Sequence, residues 1–169
     1  MKKLIIVALC VIFIIGCSKV ADYSVPTEQQ LIDFLGSKDI TPLDMHFFKD
    51  TAVVLHGAEY SNAISFISYE DIEKRHVINA SSTSAAGPLT IIPYKGSDRD
   101  PSFVAIFLND SQLVADATKI IVDFDGTPTE TAIENRRGII VSSPNSKPTK
   151  KMNVLIYGNE NRLLYSNEF

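Results

Sequence analysis

Cysteine is almost missing from this sequence: the 169 residues hold two, Cys10 and Cys17, both within the first seventeen positions. Everything after them lacks a thiol, which excludes disulfides and any Cys-based zinc or redox site from the bulk of the chain. A surplus of positive charge is missing as well. Sixteen Lys and Arg stand against twenty Asp and Glu, a formal charge of −4. That balance repels polyphosphate instead of releasing its counterions, so DNA and RNA are excluded as partners. No long hydrophobic run is present either. Residues 4–15 are the longest, with twelve apolar members; as a helix they would reach about 18 Å, short of the ~30 Å hydrocarbon core. With 45% hydrophobic and 21% charged residues, the composition also excludes a disordered chain and a collagen-like repeat.

What is there begins with an export pattern. Lys2 and Lys3 precede the apolar run, and Ile14-Ile15-Gly16-Cys17 closes it with a small residue before a cysteine. The closing run resembles a bacterial lipobox. The resemblance implies cleavage between Gly16 and Cys17 and a diacylglyceryl group on the Cys17 sulfur. Two or more acyl chains, at ~0.8 kcal/mol per buried methylene, hold a protein on a membrane where one would not. The expected organisation is a lipoprotein signal peptide over 1–16, a lipidated cysteine and tether over 17–26, and a globular domain over 27–169. The expected location is the cell envelope, on the outer face of the bacterial cytoplasmic membrane, with membrane lipid as a partner through acylated Cys17. Cleavage removes two lysines and leaves 153 residues with a formal charge of −6.

Past the tether, Thr27-Glu28-Gln29-Gln30 has the form of a capping box, and Leu31, Phe34 and Leu35 follow at helical spacing. One short helix over 28–35 is expected, with Gly36 as its stop. From there the period becomes that of strands. Runs at 45–48, 52–56, 63–69 and 76–81 are followed by 89–94, 103–108, 119–124, 138–142, 152–157 and 162–165. Residues 158–161 (Gly-Asn-Glu-Asn) form a hairpin turn, and 81–88 (SSTSAAGP) read as a loop or an internal seam. Strands every 8–15 residues with polar turns predict a mainly β fold. The form expected is an antiparallel β-sandwich-like domain with one short N-terminal helix.

Taken together, the lipobox, the short helix, Val53–Leu55, Pro101–Asp110 and Ile156–Tyr165 resemble a group of small Gram-positive bacterial lipoproteins. That resemblance implies a β-rich fold and an envelope location. It implies no activity.

One segment carries the look of chemistry. Residues 119–130, KIIVDFDGTPTE, contain an apolar strand followed by Asp-x-Asp-Gly-Thr. This resembles the first motif of the haloacid dehalogenase-like phosphatases. The resemblance would make Asp123 the nucleophile, Asp125 the general acid and base and Thr127 a support for the turn, with a magnesium ion clamping the phosphate. Position and inventory oppose it. Only 44 residues follow Asp125, they contain no Asp, and Glu130, Glu134, Glu160 and Glu168 include no adjacent pair. The same residues also read as a half-buried strand, 120–124, ending in an Asp125-Gly126 hairpin turn. That is the preferred reading.

The other constellations are weaker. His46 and His56 could meet on neighbouring strands as a two-ligand site, while His76 stands apart; none forms an HExxH pattern. Residues 96–101 (GSDRDP) cluster two carboxylates without the regular oxygen ligands of a calcium loop. The serines at 81–84 sit in no nucleophile motif, and Lys147, Lys150 and Lys151 form a small basic patch able to touch anionic headgroups. No catalytic residue, metal ligand or cofactor is expected. The favoured function is a non-enzymatic, lipid-anchored binding or interaction module for an envelope protein or ligand. A magnesium-dependent phosphatase through Asp123 and Asp125, and a small solute-binding lipoprotein, are the alternatives.

Overall fold

The computed structural model describes residues 22–58, 61–70, 74–85, 87–97 and 100–169. Gly16, Cys17 and the export segment lie outside the described residues. The chain order is β1 (Tyr23–Ser24), α1 (Glu28–Ser37), β2 (Pro42–Phe47), β3 (Ala52–Ala58), β4 (Ser61–Glu70) and β5 (Arg75–Ser84), then β6 (Leu89–Tyr94), β7 (Phe103–Leu108), α2 (Ser111–Asp116), β8 (Ala117–Phe124), β9 (Thr127–Ala132), β10 (Gly138–Ser142), β11 (Met152–Gly158) and β12 (Leu163–Glu168).

Among the described residues all strand pairing is antiparallel, and it produces three sheets. Sheet I runs β5-β4-β3-β2, and β1 pairs with the end of β4 beyond the last β3 partner. Sheet II is β6-β7-β10, and sheet III is β9-β8-β11-β12. Sheet II lies between the other two, because every residue of β7 is buried and alternate ones face opposite ways. Phe103, Ala105 and Phe107 join Val53, Leu55 and Ile64 of sheet I. Val104, Ile106 and Leu108 join Ile120, Val122, Phe124, Met152, Val154 and Ile156 of sheet III. The mainly β, antiparallel, sandwich-like architecture is as the strand spacing predicts.

Helix α1 covers the other face of sheet I, burying Leu31 and Leu35 against Ala52, Val54 and Ile67. Its capping box is present: the Gln30 amide donates to Thr27 Oγ1 at 3.3 Å, and the Thr27 amide donates to Gln30 Oε1 at 2.8 Å. Gly36 is not the stop. The helix continues to Ser37, and Asp39 takes the left-handed conformation (φ 55°). The Ile40 amide reaches back to the Leu35 carbonyl and the Asp39 amide to that of Gly36, which is a Schellman ending with Ile40 against the core.

Further differences from the sequence reading have physical causes. Residues 81–84 continue β5, paired to 61–64 of β4, because their backbone finds partners whatever their small side chains. The two halves flanking 81–88 share the cluster between sheets I and II. Within the span 17–26 read as a tether, Tyr23 and Ser24 pair with Glu70 and Tyr69, and Pro26 is buried. Besides β1, two further elements are additional. The six-residue α2 is too short to show a period, and is started by the Asp110 carboxylate accepting from the Leu113 amide. Strand β9, TPTETA, is polar and carries Pro128, as an edge strand can.

Candidate functional site

Sheet I is wider than sheet II, so the apolar layer between them ends before β4 and β5 do. On β4, Phe66 and Ser68 share the inward face with Ile64, and their β5 partners are Asn79 and Val77. These four side chains form one wall of an open cleft of about 750 Å³. Tyr23 of β1 and the β2–β3 turn, through Asp50 and Thr51, close one side; Tyr94 and Asp100 close the other. Its size falls within the range of small-molecule sites.

The floor is aromatic. Tyr94 stacks on Phe103 at 4.8 Å between centroids, Phe66 lies 5.5 Å from Tyr94 and 6.0 Å from Phe103, and Phe48 lies 5.6 Å from Phe103. Two anchored turns carry the carboxylates. The Asp50 turn is held by Ser68 Oγ donating to the Asp50 carbonyl at 2.9 Å and by the Phe48 amide donating to the Thr51 carbonyl at 2.8 Å. In the other turn, Ser97 Oγ donates to Asp100 Oδ2 and its amide donates to the Asp100 carbonyl, at 3.1 and 2.9 Å. Gly96 there adopts φ 76°, and a Cβ would stand 2.7 Å from the Asp100 carbonyl oxygen. Buried Ser102 ties this turn inward, donating to the Lys95 carbonyl and accepting from the Thr149 amide. Burial raises the Tyr94 phenol above its ordinary range, and the charge and hydrogen bond of Asp100 add to the effect.

The residues singled out by sequence fall elsewhere, apart from Asp100. Asp125 and Gly126, with φ of 51° and 88°, form a two-residue hairpin turn between β8 and β9. The Asp125 carboxylate accepts from the Lys150 and Lys151 amides, each at 2.9 Å, and these bonds hold its pKa below the usual carboxylate range. Asp123 accepts from the Gly126 amide. Both carboxylates are thus committed to backbone donors in an antiparallel hairpin, where the phosphatase resemblance implies a parallel α/β setting. His46 and His56 do not meet. His46 pairs with Val53 and faces sheet II, whereas His56 faces the opposite side of sheet I and bonds Ser65 Oγ at 2.9 Å. His76 is stacked on Phe34 at 4.4 Å and edge-on to Tyr69. Lys151 pairs with Glu168 at 3.1 Å, and Lys147 and Lys150 border a second hollow beside the Asp125 turn. Among the described residues, no group of three or more His, Cys, Asp or Glu could hold a metal ion.

Sequence reading could not assemble the cleft, because its members are spread from Tyr23 to Asp100 and meet only through strand register. Asp100, from the 96–101 loop, is its one legible trace. No family model, curated protein or solved structure matches this chain.

Proposed function

We propose that the protein is a lipid-anchored, non-enzymatic binding module of the bacterial cell envelope, and that the cleft beside β4 and β5 receives its ligand. The observation that carries this reading is the cleft itself: an aromatic floor, two carboxylates on anchored turns, and an open side. Clefts of this size, with aromatic side chains and a few polar groups, are the usual form of small-molecule sites. The envelope location and the membrane-lipid partner rest on Lys2, Lys3, the apolar run and Gly16-Cys17, and the resemblance to small Gram-positive lipoproteins on these together with Val53–Leu55, Pro101–Asp110 and Ile156–Tyr165.

The experiment has two parts. Expressed in a Gram-positive host, the wild type should be recovered from membranes with Cys17 as its acylated first residue. Cys17→Ser should accumulate as the unprocessed, unlipidated chain. Mass spectrometry of both decides the matter, and a mature protein starting elsewhere overturns the anchor. For the cleft, ligands found by thermal shift should bind the wild type and lose affinity in Phe66→Ala. Undiminished binding by that variant removes the cleft from the function.

A further inference from the structure

We infer that the cleft binds an organic ammonium group; this rests on the cleft being the binding site. Its charge is of one sign: the carboxylates of Asp50 and Asp100 share the lining with neutral side chains. The Ser68 hydroxyl is spent on the Asp50 carbonyl, while the Asn79 amide and the Tyr23 hydroxyl face the cleft as neutral polar groups. Among the described residues none donates to the Asp50 carboxylate, and the lining includes no Lys or Arg. Anions are repelled by such a surface.

An ammonium group inverts that difficulty. A primary ammonium offers three donors and no acceptor, and a quaternary one offers positive charge spread over methyl groups. Both are attracted to the faces of aromatic rings, and the rings of Phe66 and Tyr94 lie next to the carboxylates. Tyr94 and Asp100 both line the cleft, so ring and charge act on one ligand group.

The position of the cleft suggests where that group is met. Tyr23, which is 46% exposed, lines it. Tyr23 lies six positions after Cys17, a span of at most about 21 Å even when fully extended. An acylated Cys17 therefore keeps the cleft close to the membrane surface. The ammonium comes either from a lipid headgroup at that surface or from a free amine beside it.

The test uses the full lipidated chain in vesicles of phosphatidylglycerol, titrated calorimetrically with tetramethylammonium, n-butylammonium, glucose and inorganic phosphate. At least one ammonium ion should bind, with glucose and phosphate inert, and Asp50→Asn should weaken it about tenfold, as loss of a charged partner does. Half replacement of the lipid by phosphatidylethanolamine should lower the apparent affinity if headgroups fill the cleft, and leave it unchanged if the ligand is a free amine. Glucose or phosphate binding that Phe66→Ala abolishes, with both ammonium ions inert, overturns the ligand class and leaves the cleft standing. Ammonium binding unaffected by Asp50→Asn and by Phe66→Ala overturns the assignment to this cleft. Complete silence from all four probes overturns the ammonium proposal, while the ligand screen with Phe66→Ala still judges the cleft separately.

Discussion

The two interior layers of this protein are built on opposite faces of the same strand, β7, yet they differ in kind. Toward sheet III, β7 presents Val104, Ile106 and Leu108 to a layer that is almost wholly aliphatic and fully enclosed, with Phe124 its one fully buried ring. Toward sheet I, it presents Phe103 and Phe107 to a layer rich in rings, including Phe48, Phe66 and Tyr94, which ends in the open cleft. Branched aliphatic side chains interlock at high density and leave no useful gap. Flat rings leave faces available to a ligand when their layer stops short. One layer is thus organised for stability and the other for contact.

The largest effect should come from breaking the enclosed layer. Phe124→Ala removes a ring that is 1% exposed and should cost about 3–5 kcal/mol, read as a fall in the urea midpoint. Phe66→Ala, whose ring borders open space, should cost less than half as much. Equal losses would erase the distinction between the layers. Next is Gly96→Ala, which forces a side chain into the left-handed region and toward the Asp100 carbonyl. It should cost about 1–2 kcal/mol and displace Asp100 from Tyr94. Ultraviolet titration should then show a tyrosine returning toward 10.0, and an unchanged titration would mean that the turn does not position Asp100.

The smallest effect should be that of pH, and it should be confined to one side. His46, His56 and His76 all belong to sheet I, and burial lowers the pKa of each below 6.5. The His76 imidazole is flanked by the rings of Phe34 and Tyr69. Since their folded pKa values lie below the unfolded ones, the unfolded chain binds protons first. The stability these residues contribute is whole above about pH 6.5 and is lost as the pH falls below that value toward the folded ones. Hydrogen exchange between about pH 7 and 5, the range spanning that titration, should therefore lose protection in β2–β5 before β8 and β11. Loss in sheet III first would show that the acid-sensitive side has been misplaced.

Legibility in the sequence follows the same division. Residues 103–108 and 138–142 emerge with the bounds they have in the fold, because apolar runs bounded by turn residues mark strands buried on their faces, and the half-buried 89–94 emerges likewise from its β-rich composition. The Thr27 cap and the Asp125-Gly126 turn are equally readable, since both are local chemistry. Polar pairing is not: β9 and the Ser81–Ser84 end of β5 owe their structure to neighbouring backbones and carry no apolar signal. The cleft is hidden for a related reason. Asp50, Phe66, Tyr94 and Asp100 each look ordinary in their own segment, and only register and the unequal widths of two sheets bring them together.

The central position of β7 also has a consequence for the order in which the molecule can assemble. Its partner β10 follows it by some thirty residues, with the β8–β9 hairpin in between, and β11 comes later still. A chain emerging N-terminus first can complete sheet I while Val104, Ile106 and Leu108 still have nothing to lie against. Such non-local pairing slows folding and leaves a sticky apolar strip exposed during the delay. A chain that folds as it emerges thus carries this strip uncovered until strands from its last third arrive.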